Sequence, residues 1–286
     1  MRILLAIDGS EHSRDASRAL QHLAPAEQLV VLHTVDVPSQ FYPMMMPEVA
    51  LELHQQAEQQ MREQGEHFLH TVMSLLPPKI GHVSKRLELG SSAETILSIA
   101  EEERIDLIVL GARGLGQVRE LVIGSVSHRV VMHARCSVLL VKAPMRHLQR
   151  ILLAVSGPDD AEVASRFLSL KPFREAPEIR VLSVLPADQP SWPMGIADAE
   201  SLKEKALHAA RSFAEDVATK LAGQYRTQSA VAFGAPAAAI LQEALAIRPD
   251  LIVTGSRARR GVTRFLLGSV SHAVLHGADC PVLILR

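Results

Sequence analysis

The chain has 286 residues, of which 48% are hydrophobic, 21% charged and 3% aromatic, and its 30 basic and 31 acidic side chains leave a net charge of -1. This is the balance of a globular chain whose apolar content comes from Ala, Leu, Val and Ile, long enough for two domains of ordinary size, and it offers no basic field to a nucleic-acid backbone. With only Cys136 and Cys280, and with none of the 13 histidines in a HExxH-type pattern, neither a disulfide framework nor a metal site is expected.

The first predicted strand lies in MRILLAIDGS, near 2–8, and ends at Asp8. It begins without a charged region ahead of a longer apolar stretch, and no apolar run reaches membrane-spanning length, so a cytoplasmic location with no membrane partner is expected. A second strand, near 29–35, ends at Val35. After the loop FYPMMMPE, which starts at Phe41, an amphipathic helix follows Pro47. Leu53, Ala57, Met61, Phe68, Val72 and Leu75 recur there at three- and four-residue spacing, and the helix stops at Pro77 and Pro78. Further strands are expected near 82–88, 105–110 and 137–142, with helices between them. Short apolar runs that alternate with helical patterns predict an α/β fold, a doubly wound five-stranded parallel sheet flanked by helices. Such sheets take ligands beyond the carboxyl ends of their strands at the switch point, here after strands one and four.

The order then repeats. GSVSHRVVMHARCSVLLVK, Gly124 to Lys142, aligns without gaps on GSVSHAVLHGADCPVLILR, Gly268 to Arg286, with 10 of 19 positions identical. RILLAIDG from Arg2 and RILLAVSG from Arg150 differ at two of eight positions, so both copies open on the same strand. Two tandem domains follow, 1–146 and 147–286, joined by a polar connection that contains Pro144. A loop rich in apolar residues, PSWPMGIAD from Pro190, stands where FYPMMMPE does in the first copy. Both loops read as covers for a ligand, as a partner surface, or as apolar segments folded onto neighbouring helices.

The chemistry lies after strand four. Gly111-Ala112-Arg113-Gly114 is followed, nine residues on, by Gly124-Ser125-Val126-Ser127 at the start of the last helix. Glycines admit a phosphate close to the backbone, a helix N-terminus offers N–H groups and a positive dipole end, and Ser125, Ser127, Arg113 and Arg119 add donors. The plainer reading is a capped helix after a flexible turn.

The spacing G-x2-G-x9-G-S between strand and helix resembles the nucleotide-binding signature of the universal stress protein family, and the resemblance covers almost the whole chain twice. It implies ATP, or else AMP or ADP, with or without Mg2+. Ala6, Ile7, Asp8 and Val35 would hold base and ribose, and Gly111, Arg113, Gly114, Gly124, Ser125, Val126 and Ser127 the phosphates. In the second copy Gly255, Arg257, Gly268, Ser269, Val270 and Ser271 keep much of the pattern. Ser156, however, stands at the position of Asp8 and Ala258 at that of Gly114. Nucleotide binding there is left open, with Arg257, Arg259, Arg260 and Arg264 crowding the same loop. The resemblance also implies that the two halves pair through their last strands, SVLLVK and PVLILR, and it leaves open a homodimer.

The expected function is a cytoplasmic stress-response protein that binds an adenine nucleotide and acts as a regulator or protective scaffold. No Walker lysine is present, and no carboxylate or histidine beyond Asp8 stands out to position an attacking water, so fast catalysis is not expected. Slow ATP hydrolysis remains an alternative. Two other readings are an adenylylating enzyme of the related α-hydrolase class, which the imperfect loop Ser156-Gly157-Pro158-Asp159-Asp160 suggests, and a dimeric scaffold that binds no nucleotide.

Overall fold

The apolar runs become strands, and the central ones are buried on both faces, as parallel strands are when helices cover both sides of a sheet. A computed structural model of the chain describes residues 1–36, 47–114, 123–186, 196–256 and 267–286. They divide into two compact units, Met1–Gln21 with Pro25–Pro144, and His22–Ala24 with Met145–Arg286.

In the first unit the elements run β1 (Arg2–Ile7), α1 (Glu11–Ala19), β2 (Ala26–Val35), α2 (Pro47–Leu75), β3 (Gly81–Leu89), α3 (Ser92–Glu102), β4 (Leu107–Gly111), α4 (Ser125–His133) and β5 (Ser137–Val141). The strand order is β3-β2-β1-β4-β5 and all four pairings are parallel. The chain moves outward from β1 on one side and then returns to its other side with β4. The carboxyl ends of β1 and β4 therefore meet at the switch point, where the helices diverge and leave a crevice.

The core is centred on β1, β2 and β4, where Ile3, Leu4, Leu5, Leu29 and Ile108 have no exposed surface. Burying a side chain of this size contributes roughly 1.5–3 kcal/mol. The edge strand β3 is half exposed instead, and it is guarded by charge. Lys85 pairs with Glu66 on α2, and Arg86 pairs with Glu102 and Glu103 at the end of α3. Hydrogen bonding to Glu102 raises the Arg86 pKa above its ordinary value. Charged side chains of this kind discourage a foreign strand from adding to the edge.

The second unit repeats the design with β6 (Arg150–Val155), α5 (Pro158–Ser169), β7 (Glu178–Leu185), α6 (Ile196–Leu221), β8 (Arg226–Phe233), α7 (Pro236–Ile247), β9 (Leu251–Gly255), α8 (Ser269–Gly277) and β10 (Val282–Leu285). Its order is β10-β9-β6-β7-β8, again wholly parallel.

Two strand starts differ from the sequence expectation by two residues or more. Strand β2 starts at Ala26, not near 29, because Ala26-Glu27-Gln28 joins the sheet through its backbone and leaves no apolar signature. Strand β4 starts at Leu107, not 105. Asp106 just before it accepts the Arg2 backbone N–H at 2.7 Å, a clamp that Asp250 repeats on Gln149 and Arg150 at 2.8 and 2.9 Å.

Candidate functional site

The crevice of the first unit is framed by two turns. Asp8 follows β1, and its Oδ1 accepts the Ser10 backbone N–H at 3.0 Å. Ser10 caps α1, its hydroxyl oxygen accepting the Ser13 N–H at 3.1 Å, as N-cap serines do. The same hydroxyl donates to the Arg113 carbonyl at 3.0 Å. The cap of α1 is thereby fastened to the loop leaving β4.

That loop is also held from behind by backbone. Ala112 N–H bonds the Val141 carbonyl at 2.8 Å and Gly124 N–H bonds the Ala112 carbonyl at 2.7 Å. The buried Ser127 hydroxyl donates to the Gly111 carbonyl at 2.7 Å. Its donor capacity is spent on the strand, so Ser127 presents its backbone N–H, and not its hydroxyl hydrogen, to a ligand.

The three glycines of the motif have different reasons to be glycine. A Cβ at Gly111 would stand 2.6 Å from the His12 carbonyl carbon, so α1 can approach β4 only if that position is bare. A Cβ at Gly114 would collide with the Asp8 carboxylate. At Gly124, with φ -70°, a Cβ would meet Ala112 O, Arg113 Cα and Gly114 N at 3.5 Å, ordinary van der Waals distance. Neither the backbone nor the neighbours require glycine there. Gly124 is the N-cap of α4 and gives that helix no side-chain acceptor, which leaves its first-turn N–H groups facing the crevice.

Between these turns lies a cavity of about 300 Å³. From β1 it is lined by Ala6, Ile7 and then Asp8, from β2 by Leu32 and Thr34, and from α3 by Ser92 and Ile96. Leu110, Gly111, Arg113 and Gly114 line it from the β4 side, Gly124, Ser125, Val126 and Ser127 from α4, and Ser13 from α1. The lining combines aliphatic side chains with glycines and serines at a helix N-terminus, the Asp8 carboxylate and Arg113, a combination that suits an anion carried on an apolar group.

Of the residues singled out in the first half, Ala6, Ile7, Asp8, Gly111, Arg113, Gly114, Gly124, Ser125, Val126 and Ser127 all line this one cavity. Val35 stands apart from the lining, and its carbonyl accepts the Gly90 N–H at 2.9 Å. Arg119 and the loop from Phe41 lie outside the described residues. The sequence reading missed Ser13, Leu32, Thr34, Ser92, Ile96 and Leu110. Leu32 was findable, since it pairs in register with Ala6.

The second unit keeps the scaffold of the loop. Ser271 donates to the Gly255 carbonyl at 2.6 Å, Gly268 N–H to Ser256 at 2.9 Å and Ser256 N–H to Leu285 at 3.0 Å, each matching a bond of the first unit. Gly268 caps α8, with Ser269, Val270 and Ser271 as its first turn. Arg257 and the other arginines of this loop lie outside the described residues. On the α5 side of the second unit the side chains differ. Pro158 replaces Ser10, and the Ser156 hydroxyl donates to the carboxylate of Asp160, which occupies the His12 position in the first turn of α5.

The family model of the Universal stress protein family matches residues 1–142 and again 147–286. A universal stress protein of Thermus aquaticus is 35% identical over 142 residues, 49% of this chain and 97% of that protein. A universal stress protein of Mycobacterium tuberculosis (strain ATCC 25618 / H37Rv) is 26% identical over 309 aligned positions, covering 99% of this chain and 96% of its own. The crystal structure of a universal stress protein from Archaeoglobus fulgidus DSM 4304 superposes with a TM-score of 0.65 at 21% identity, covering 100% of this chain and 96% of that one, which speaks to the fold.

Proposed function

The chain belongs to the universal stress protein family, a family of stress-response proteins that it matches twice in tandem, and from that premise we propose that its N-terminal unit binds an adenine nucleotide, ATP in the first instance. The base and ribose lie in the slot between β1, β2 and α3, and the phosphates lie against the first turn of α4. Ala6, Leu32, Ile96 and Leu110 give the base an apolar bed, while Thr34 and Ser92 offer hydroxyls at its edge. Asp8, at the end of β1, accepts from a ribose hydroxyl. The phosphate chain takes the N–H groups of Ser125, Val126 and Ser127 and the Arg113 guanidinium. A nucleotide brings its own Mg2+, held by phosphate oxygens; AMP and ADP fit the same cradle with fewer contacts.

The observation that carries this reading is Gly124. Its surroundings would admit a methyl group, so the missing side chain makes sense as room for something that enters the cradle from solvent. The protein then acts by what the bound nucleotide does to its surface, as a regulator or protective scaffold, and its turnover of ATP is slow or nil. The test is to extract and identify the small molecules carried by the purified protein, then to titrate ATP, ADP and AMP against wild type and Gly124→Val. A valine there projects into the space assigned to phosphate, so affinity should fall at least tenfold with the fold intact. Unchanged ATP affinity in Gly124→Val would remove the phosphate role.

A further inference from the structure

The backbone cradle is present in both units, but its acid is placed differently: in the first, Asp8 faces Gly114, whereas in the second a carboxylate stands against Gly255. A Cβ at Gly255 would overlap the carboxylate of Asp160, whose Cγ lies 2.9 Å from that point, and the Ser156 hydroxyl donates to the same carboxylate. The first-unit counterparts of Gly255 and Ser156 are Gly111 and Asp8, and both line the nucleotide cavity. Asp160 therefore bridges two positions that bound the ligand space of the first unit. The residue at its place there is His12, which meets Gly111 through its backbone and Cβ and brings no negative charge.

We propose that Asp160 sets the specificity of the second cradle by closing it to phosphate anions, so that the tandem chain carries one nucleotide where its two motifs suggest two. The inference rests on the nucleotide reading of the first unit. A phosphate brought beside the Asp160 carboxylate meets a like charge a few ångströms away, partly shielded from water, an opposition that weakens binding by a hundredfold or more, roughly. The carboxylate itself is at home: it stands in the first turn of α5, where the helix dipole favours an anion, and it holds the Ser156 hydroxyl. Two other exchanges act in the same direction. Ser156 removes the ribose acceptor that Asp8 provides, and Pro158 has no hydroxyl to fasten the loop as Ser10 does. Asp160 is nevertheless the determinant, because of the three exchanges it alone sets a carboxylate against the glycine that matches Gly111.

ATP is titrated by calorimetry into wild type, Asp160→Asn, Asp160→His and Asp160→Glu, each also in a Gly124→Val background that silences the first site, with melting curves to confirm folding. The expected result is one ATP per wild-type chain and none with Gly124→Val. Asp160→Asn and Asp160→His gain a second site, at least tenfold tighter than any in the silenced parent, while Asp160→Glu keeps the site closed. Two ATP per wild-type chain, or folded Asn and His variants that gain nothing, would overturn the inference. A wild-type chain without ATP combined with a gain in Asp160→Asn would sink the first-unit reading and leave this one standing; no binding in any variant would sink both.

Discussion

The carboxylate of Asp8 lies against the bare Cα of Gly114, in the space a Cβ at residue 114 would take. The second copy differs from the first at both of these positions, with Ser156 for Asp8 and Ala258 for Gly114. The two departures go together physically, because in the first unit it is the Asp8 carboxylate that excludes a Cβ at residue 114.

Gly114→Ala alone should destabilise the first unit by about 1–3 kcal/mol through overpacking. Asp8→Ser combined with Gly114→Ala should recover most of that loss, a coupling on the order of 1 kcal/mol in a double-mutant cycle read by urea unfolding. The double variant should regain stability without regaining ATP affinity. Additive effects of the two changes would contradict the contact.

Gly124→Ala separates ligand space from folding. The methyl group meets only ordinary contacts, so the melting temperature should hold, with a stability change within about 0.5 kcal/mol. ATP affinity should nevertheless fall, by less than with Gly124→Val, when both are titrated side by side. A large stability loss with affinity preserved would reverse the assignment.

Ser10→Ala removes the cap of α1 and its tie to Arg113 together. Losing the cap costs about 1 kcal/mol. The tie adds a specific signature: hydrogen exchange should quicken in the amides around Arg113 and Gly114, and ATP affinity should drop, while the second unit is unaffected. Ser10→Thr, which keeps the hydroxyl, should restore both.

Tyr225 gives the alkaline limb of stability. Its hydroxyl donates to the Leu168 carbonyl at 2.9 Å, and burial raises its pKa above the ordinary value of 10.0. The folded state therefore favours the neutral phenol. The contribution is complete below the unfolded pKa and is lost as pH rises through the raised folded one. Urea unfolding between pH 9 and about 11 should show a steeper decline for wild type than for Tyr225→Phe, and the variant should be weaker by about 1 kcal/mol at neutral pH.

The order of elements and the two turns of the site are legible in the sequence because their signals are local. Apolar runs report strands buried on both faces, and the glycine spacing reports a strand-to-helix loop. What the sequence hides comes from elements that meet across the sheet. Thr34 and Ser92 reach the cavity from β2 and α3, and only the order β3-β2-β1-β4-β5 reveals that they share it with Asp8. Ser127 is visible as a hydroxyl beside the motif, but that its hydrogen serves the Gly111 carbonyl depends on geometry. Asp160 enters the sequence reading only as the end of the imperfect loop that starts at Ser156. In sequence it is a helix-starting acid, and its meaning appears only when Gly255 is found beside it.

In both units the loop is held by main-chain hydrogen bonds and by one serine hydroxyl, of Ser127 or Ser271, that bonds a strand carbonyl. None of the residues that differ between the copies contributes a side chain to those bonds. Substitution among the crevice side chains therefore leaves these bonds in place, even where, as at Gly114, it disturbs packing. The architecture thus separates shape from affinity, so that one copy can change what its crevice accepts while the fold of both copies is kept.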